Sequence, residues 1–165
     1  LPLGTTAPDG GEGMDPHAAQ LKAGGVPFVF DAGQGLPMFN GEELLRFIDQ
    51  ASWVAVNDYE GRMLCDRTGL SLADISTRVR GLVVTLADQG CDVWENGVAT
   101  RVPGVKAEAV VDPTGCGDAF RAALLHGLSK GWPLARCAEL GNRLGALKIA
   151  VRGPQNYTVN PALLA

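Results

Sequence analysis

The sequence predicts an α/β domain built on a mostly parallel sheet, with a β-hairpin late in the chain. Three observations carry this reading. Short apolar, β-rich runs alternate with stretches of helical length, the pattern of strands buried on both faces. An Asn96-Gly97 pair separates two strand-like runs, which marks a two-residue hairpin. The stretch VVDPTGCGDAF, residues 110–120, places Gly115 and Gly117 between an apolar run and a helix-like one, as a strand-to-helix turn would require.

The elements follow in order. Residues 1–13 (LPLGTTAPDGGEG) read as a loop, and a chain that opens at Leu1 without methionine reads as entering a domain already under way. No basic, apolar and small-residue succession of a signal peptide is present. Residues 15–23 open on Asp15-Pro16, a cap followed by proline at the first helical position, and Gly24-Gly25 closes that helix. Residues 26–30 (VPFVF) form a buried strand ended by Asp31, a turn residue that could equally lie near a site at the strand end. Residues 33–39 read as loop. Residues 41–50 form an amphipathic helix with Leu44, Leu45 and Ile48 on one side. A second strand, 53–56 (WVAV), ends at Asn57 and leads into helices over 58–65 and 71–80. The third strand is 82–86, and 91–94 with 98–102 make the hairpin. A short strand at 109–111 leads into the glycine turn, and helices over 119–129 and 134–151 follow, parted by Gly131-Trp132-Pro133.

Composition narrows the function. A chain of 165 residues can bury one core, and 46% hydrophobic residues with 22 glycines and 10 prolines suit a turn-rich globular domain. A net charge of −4 without a basic run argues against a nucleic-acid surface. No apolar stretch approaches the ~20 residues that span a bilayer. Cys65, Cys91, Cys116 and Cys137 are widely spaced, which favours reduced thiols and a cytoplasmic protein over disulfides or zinc. The sequon Asn156-Tyr157-Thr158 reads as coincidence, and isolated His17 and His126 read as surface or packing residues.

The glycine turn has a chemistry of its own. In open α/β sheets ligands collect at the carboxyl ends of strands, where the next helix begins. A helix N-terminus offers unpaired N–H donors and partial positive charge to an anion, and glycines let the backbone approach it. Neither the GxxxxGK[ST] of a P-loop nor the third glycine of GxGxxG is present. A phosphate turn ordinarily avoids carboxylates, so Asp118 at the helix start needs a reason. A carboxylate there can take the proton of an alcohol attacking phosphorus, for about 10²–10⁴-fold in rate. It can as readily cap the helix, and the local pattern divides evenly between the two. Asp112 reads first as the start of an Asp-Pro turn.

Asp112-Pro113-Thr114-Gly115-Cys116-Gly117-Asp118, followed by a helix rich in small residues, resembles the C-terminal signature of the ribokinase-like sugar and nucleoside kinases, the PfkB family. Cys116 stands where alanine is usual and Pro113 where threonine is common. Three further matches follow the family's order. Asn57-Asp58-Tyr59-Glu60 resembles the NxxE motif, which alone would read as a helix cap with an exposed glutamate. Thr85-Leu86-Ala87-Asp88-Gln89-Gly90 resembles the Thr-x-Gly-x-x-Gly turn, with Ala87 in place of its first glycine. Arg152-Gly153-Pro154-Gln155-Asn156 resembles the segment that closes over adenine. Together they span residues 26–156. The stretches DAGQGLPMF and VDPTGCGDAFRA look most like bacterial members described as adenosine or carbohydrate kinases.

The resemblance implies a three-layer ribokinase-like fold, with residues 1–165 its C-terminal, nucleotide-binding part and the N-terminal half and lid absent. It implies transfer of the γ-phosphoryl group from ATP, with Mg²⁺, to a hydroxyl of adenosine or a ribose-like sugar. Asp118 would be the base, and the amides of Gly115, Cys116 and Gly117 the anion hole. Asn57, Glu60, Thr85, Gly90, Gly153 and Asn156 would serve the nucleotide, with Glu60 ordering Mg²⁺ through water. In many relatives the loop at Asp112 and Thr114 also holds a monovalent cation such as K⁺, which is left open for this chain. Helix-end amides at Cys116 would tend to lower its thiol pKa, but the preferred reading is the plainer one, that cysteine simply replaces alanine there. The rival reading is a non-catalytic nucleotide-binding fragment that needs its other half or a partner. A partial sheet exposes apolar edges and faces, so the chain is expected to self-associate or to rely on a partner.

Overall fold

The structure, a computed structural model, describes residues 4–6 and 14–165. It divides into two compact units, one of Leu1–Leu86 with Asp92–Thr100 and one of Ala87–Cys91 with Arg101–Ala165.

The first unit is built on a sheet. Strands β1 (Gly4–Thr6), β2 (Phe28–Phe30), β3 (Trp53–Asn57) and β4 (Gly81–Thr85) run parallel in sequence order. The hairpin strands β5 (Gly90–Glu95) and β6 (Val98–Pro103) complete the order, their outer ends belonging to the second unit. Parallel neighbours need crossovers, and helices supply them. They are α1 (Met14–Ala23), α2 (Gly41–Gln50), α3 (Asp58–Thr68) and α4 (Leu72–Arg78). β2 and the middle of β3 and β4 are buried, as strands covered on both faces must be. On one face Phe28, Phe30, Val54, Val56, Leu82 and Val84 join Leu44, Phe47 and Ile48 of α2, Leu64 of α3 and Ile75 of α4 in one core. Phe47 holds its centre, stacked on Phe30 with ring centroids 5.3 Å apart and edge-on to Phe39 at 5.2 Å. Asn96 and Gly97, at φ +49° and +82°, take the left-handed pair of angles that a tight hairpin needs.

The second unit centres on two helices, α5 (Cys116–Ser129) and α6 (Leu134–Ile149). Ala119, Ala123, Leu140 and Leu144 form its buried cluster, with Trp132, Tyr157, Val159, Leu163 and Leu164 packed against it. The small residues of α5 let the helices come close. The ring of Phe120 lies where a side chain at position 141 would stand, so Gly141 is what admits it. His126 is a packing residue, edge-on to Trp132 at 5.6 Å with Nε2 3.1 Å from the Leu164 carbonyl oxygen.

Several expectations are corrected. Gly4–Thr6, expected as loop, pair as a strand with β2, while residues 1–3 and 7–13 lie outside the described residues. Residues 33–38 form a 3₁₀ helix rather than open loop, and α3 runs on from Cys65 to Thr68, where Gly69 at φ +71° caps it. α1 begins at Met14, so Pro16 sits inside its first turn, where a missing N–H is tolerated. The strand expected at 109–111 does not form. The N–H groups of Val111 and Asp112 donate instead to the Ile149 carbonyl at the end of α6, 2.8 and 3.1 Å away, and a neighbouring strand is not their partner.

Candidate functional site

In the first unit the carboxyl edge of the sheet gathers three of the expected site residues. Asn57 and Thr85 are register partners at the ends of β3 and β4. Asn57 caps α3 by accepting from the Glu60 N–H at 2.8 Å, while the Asn57 N–H donates to Glu60 Oε2, also at 2.8 Å. This reciprocal box fixes the Glu60 carboxylate beneath the strand end. Glu60 is only 8% exposed, against the solvent-facing glutamate that a simple cap predicts. A second NxxE, Asn40 to Glu43, forms the same box at the start of α2, so the four-residue pattern alone does not single out a site. What distinguishes Asn57 is its place at a buried central strand. Asp31 behaves as the turn residue, accepting from the Gly33 N–H at 3.1 Å.

The second unit holds the glycine turn and brings it against the 152–156 segment. Gly115 is the N-cap of α5, at φ +83° and ψ +3°, and no side chain caps that helix. Helices α2, α3 and α4 are each closed by a capping box, whereas α5, like α6, has no side-chain cap, and of its first amides that of Cys116 donates to the Pro113 carbonyl at 3.2 Å. A side chain at 115 would also meet Pro154, 2.9 Å from its Cβ, which ties the turn to the 152–156 segment. Asp118 lies exposed in the first turn of α5. The Arg121 guanidinium, one turn further on, reaches back to within 2.5 Å of where a Gly117 Cβ would stand. Sequence reading passed over this cation, although its spacing of four from Gly117 places both on one helical face.

Asp112 joins the turn to the later segment. Its Oδ1 accepts from the Thr114 N–H at 2.9 Å and its Oδ2 from the Gly153 N–H at 2.8 Å. These bonds, Gly153 first, hold its carboxyl at about 2, well below the usual carboxylate range. Asn156 Nδ2 donates to the Arg152 carbonyl at 2.9 Å and closes the segment on itself. Burial pushes the Cys116 thiol up, so the lowered, reactive thiol that its position suggested is not what the structure provides. Gly90, at φ +93°, begins β5, where any side chain would overlap the Val102 carbonyl. Ala87, standing where the turn's first glycine was expected, nonetheless takes φ +52°, the conformation glycine adopts freely.

Known proteins resemble both units. The sequence profile of pfkB family carbohydrate kinases matches residues 17–162. A nucleoside kinase of Methanocaldococcus jannaschii is 31% identical over 126 residues, which are 76% of this chain and 42% of that protein. The Burkholderia thailandensis nucleoside kinase in complex with inosine superposes with a TM-score of 0.93 at 46% identity, over 98% of this chain and 54% of that one. Its complex with ADP-inosine superposes equally well, with a TM-score of 0.93. The chain thus spans about half the length of the relatives it matches.

Proposed function

The chain belongs to the pfkB carbohydrate kinase family and has its ribokinase-like fold, and from that premise we propose that it carries the nucleotide-phosphate side of a nucleoside kinase. The reaction is transfer of the γ-phosphoryl group of ATP to a hydroxyl of a nucleoside such as adenosine or inosine, or of a ribose-like sugar. The observation that carries the reading is the uncapped N-terminus of α5, with Gly115 as N-cap and Asp118 exposed one turn above it. The resemblance to a nucleoside kinase that binds inosine, at 46% identity, favours nucleosides over free sugars.

The residues divide the work as follows. The amides of Gly115 and Gly117 face the transferring phosphoryl group, and Arg121 adds positive charge beside Gly117. The Cys116 N–H, which donates to the Pro113 carbonyl at 3.2 Å, would have to turn from it to join them. Asp118 takes the hydroxyl proton as the oxygen attacks phosphorus. Among the described residues no cluster of three acidic, histidine or cysteine side chains could cage a metal. That suits Mg²⁺, which keeps its waters and binds chiefly through substrate phosphates. Glu60, with Asn57, would order one such water, and Mg²⁺ when bound would offset phosphate charge. Thr85, Gly90, Gly153 and Asn156 serve the nucleotide. Because the relatives are about twice as long, turnover is read as a property of a complete enzyme and nucleotide binding as a property of this half; a purely nucleotide-binding role is the second reading.

Calorimetry with Mg·ATP on the wild type and on Gly117→Val tests the phosphate site. Gly117 has an ordinary φ and its new side chain would meet only the mobile end of Arg121, so the variant is expected to fold. Its affinity should fall at least tenfold. Equal affinity, or no binding by a folded wild type, overturns the reading. In a phosphotransfer assay Asp118→Asn should retain nucleotide affinity while turnover falls about 10²–10⁴-fold; binding without any turnover, in the wild type too, selects the second reading.

A further inference from the structure

Lys148 lies in the last turn of α6 and is 0% exposed, the one lysine or arginine fully buried among the described residues. A buried ammonium is costly unless its protons are taken up. Its Nζ donates to the carbonyl oxygen of Asp112 at 2.7 Å and to that of Val151 at 3.2 Å. The first carbonyl belongs to the loop that enters the glycine turn, the second to the segment that folds back over it. The end of α6, where carbonyl dipoles point outward, favours a positive charge in just this place.

The same two segments are those to which the family resemblance assigns a monovalent cation, and the residues here do not fit one. Both Asp112 carboxylate oxygens already accept backbone N–H groups, from Thr114 and Gly153, and the Asp112 carbonyl is taken by the ammonium. An added K⁺ would have to share these oxygens with a like charge a few ångströms away. We propose that Lys148 is a tethered monovalent cation: its ammonium joins the 112–114 loop to the 151–153 segment and holds the phosphate turn in shape without K⁺. The functional consequence, nucleotide binding indifferent to K⁺, rests on the phosphate-site reading above; the structural one does not.

Thermal melts of the full chain without nucleotide, in KCl or in N-methylglucamine chloride at equal ionic strength, read the structural role directly. The wild type should melt at the same temperature in both salts. Lys148→Ala, which vacates the ammonium position but keeps its oxygens, should melt several degrees lower and recover part of the loss, saturably, in KCl alone. A saturable K⁺-dependent rise in the wild type overturns the proposal. So does a folded Lys148→Ala that melts like the wild type or ignores K⁺. If Lys148→Ala does not fold, Lys148→Gln, which keeps the stem and a donor but not the charge, takes its place with the same expected and overturning results. Mg·ADP calorimetry in the two salts separates the layers. Salt-indifferent melting without any nucleotide binding defeats the phosphate-site reading and leaves the tethered cation standing. Nucleotide binding with K⁺-dependent melting of the wild type does the reverse.

Discussion

Asp112 links local chemistry to pH. Its carboxyl lies at about 2 against an ordinary 3.8, chiefly because the Gly153 N–H donates to it, with the Thr114 N–H second. A group whose folded pKa is depressed adds stability above its unfolded pKa and loses it as pH falls through the folded one. The contribution of Asp112 is therefore complete above about pH 5 and vanishes between about pH 4 and pH 2. An Asp112→Asn variant should melt below the wild type at neutral pH, and the two melting temperatures should converge as pH is lowered through that window. A constant gap down to pH 2 would mean that the charge of Asp112 contributes nothing. The residue was visible in the sequence as an Asp-Pro turn starter; its chief partner, Gly153, lies 41 positions away and left no local signal.

Capping boxes set the helices of the first unit, and they also blur its functional signal. Asn40 with Glu43 and Asn57 with Glu60 make the same pair of bonds. Removing either asparagine by Asn→Ala should therefore cost about 1 kcal/mol of stability, read from denaturant unfolding. Only Asn57→Ala should also weaken Mg·ATP, because only that box stands at the end of a central strand beside Thr85. Equal Mg·ATP affinity in both variants would leave Asn57 as a cap and nothing more. The elements themselves were largely legible, since caps, glycines and hydrophobic period act within a few residues. The α2 bounds, the three strands at 28–30, 53–57 and 81–85 and the hairpin follow from such local signals. The strand expected at 109–111 failed for the opposite reason. VV preceded by alanine has strand character, but a strand needs a neighbour, and the end of α6 takes its N–H groups instead. Lys148 was passed over on the same grounds: one lysine in a helix carries no sign that it will be buried against a carbonyl 36 residues away.

At the scale of the molecule, the described residues leave a sheet edge and several large apolar side chains open to water. In the first unit, among the described residues, β1 is an edge strand paired only with β2, and three residues long. Met38, Tyr59 and Val98 are each more than 60% exposed there. In the second unit Val110 and Val111 stand in solvent beside the entry to the glycine turn. Single exposed apolar residues are ordinary, but an open sheet edge invites pairing, and burying the exposed side chains would be worth roughly 25 cal/mol for each Å² removed from water. The isolated chain should therefore associate with itself, reversibly and with increasing concentration, as read by sedimentation velocity. Salt should weaken that association little, since apolar area and strand pairing rather than charge would drive it. A single monomeric species at the highest concentration reached would show that these surfaces are tolerated in water.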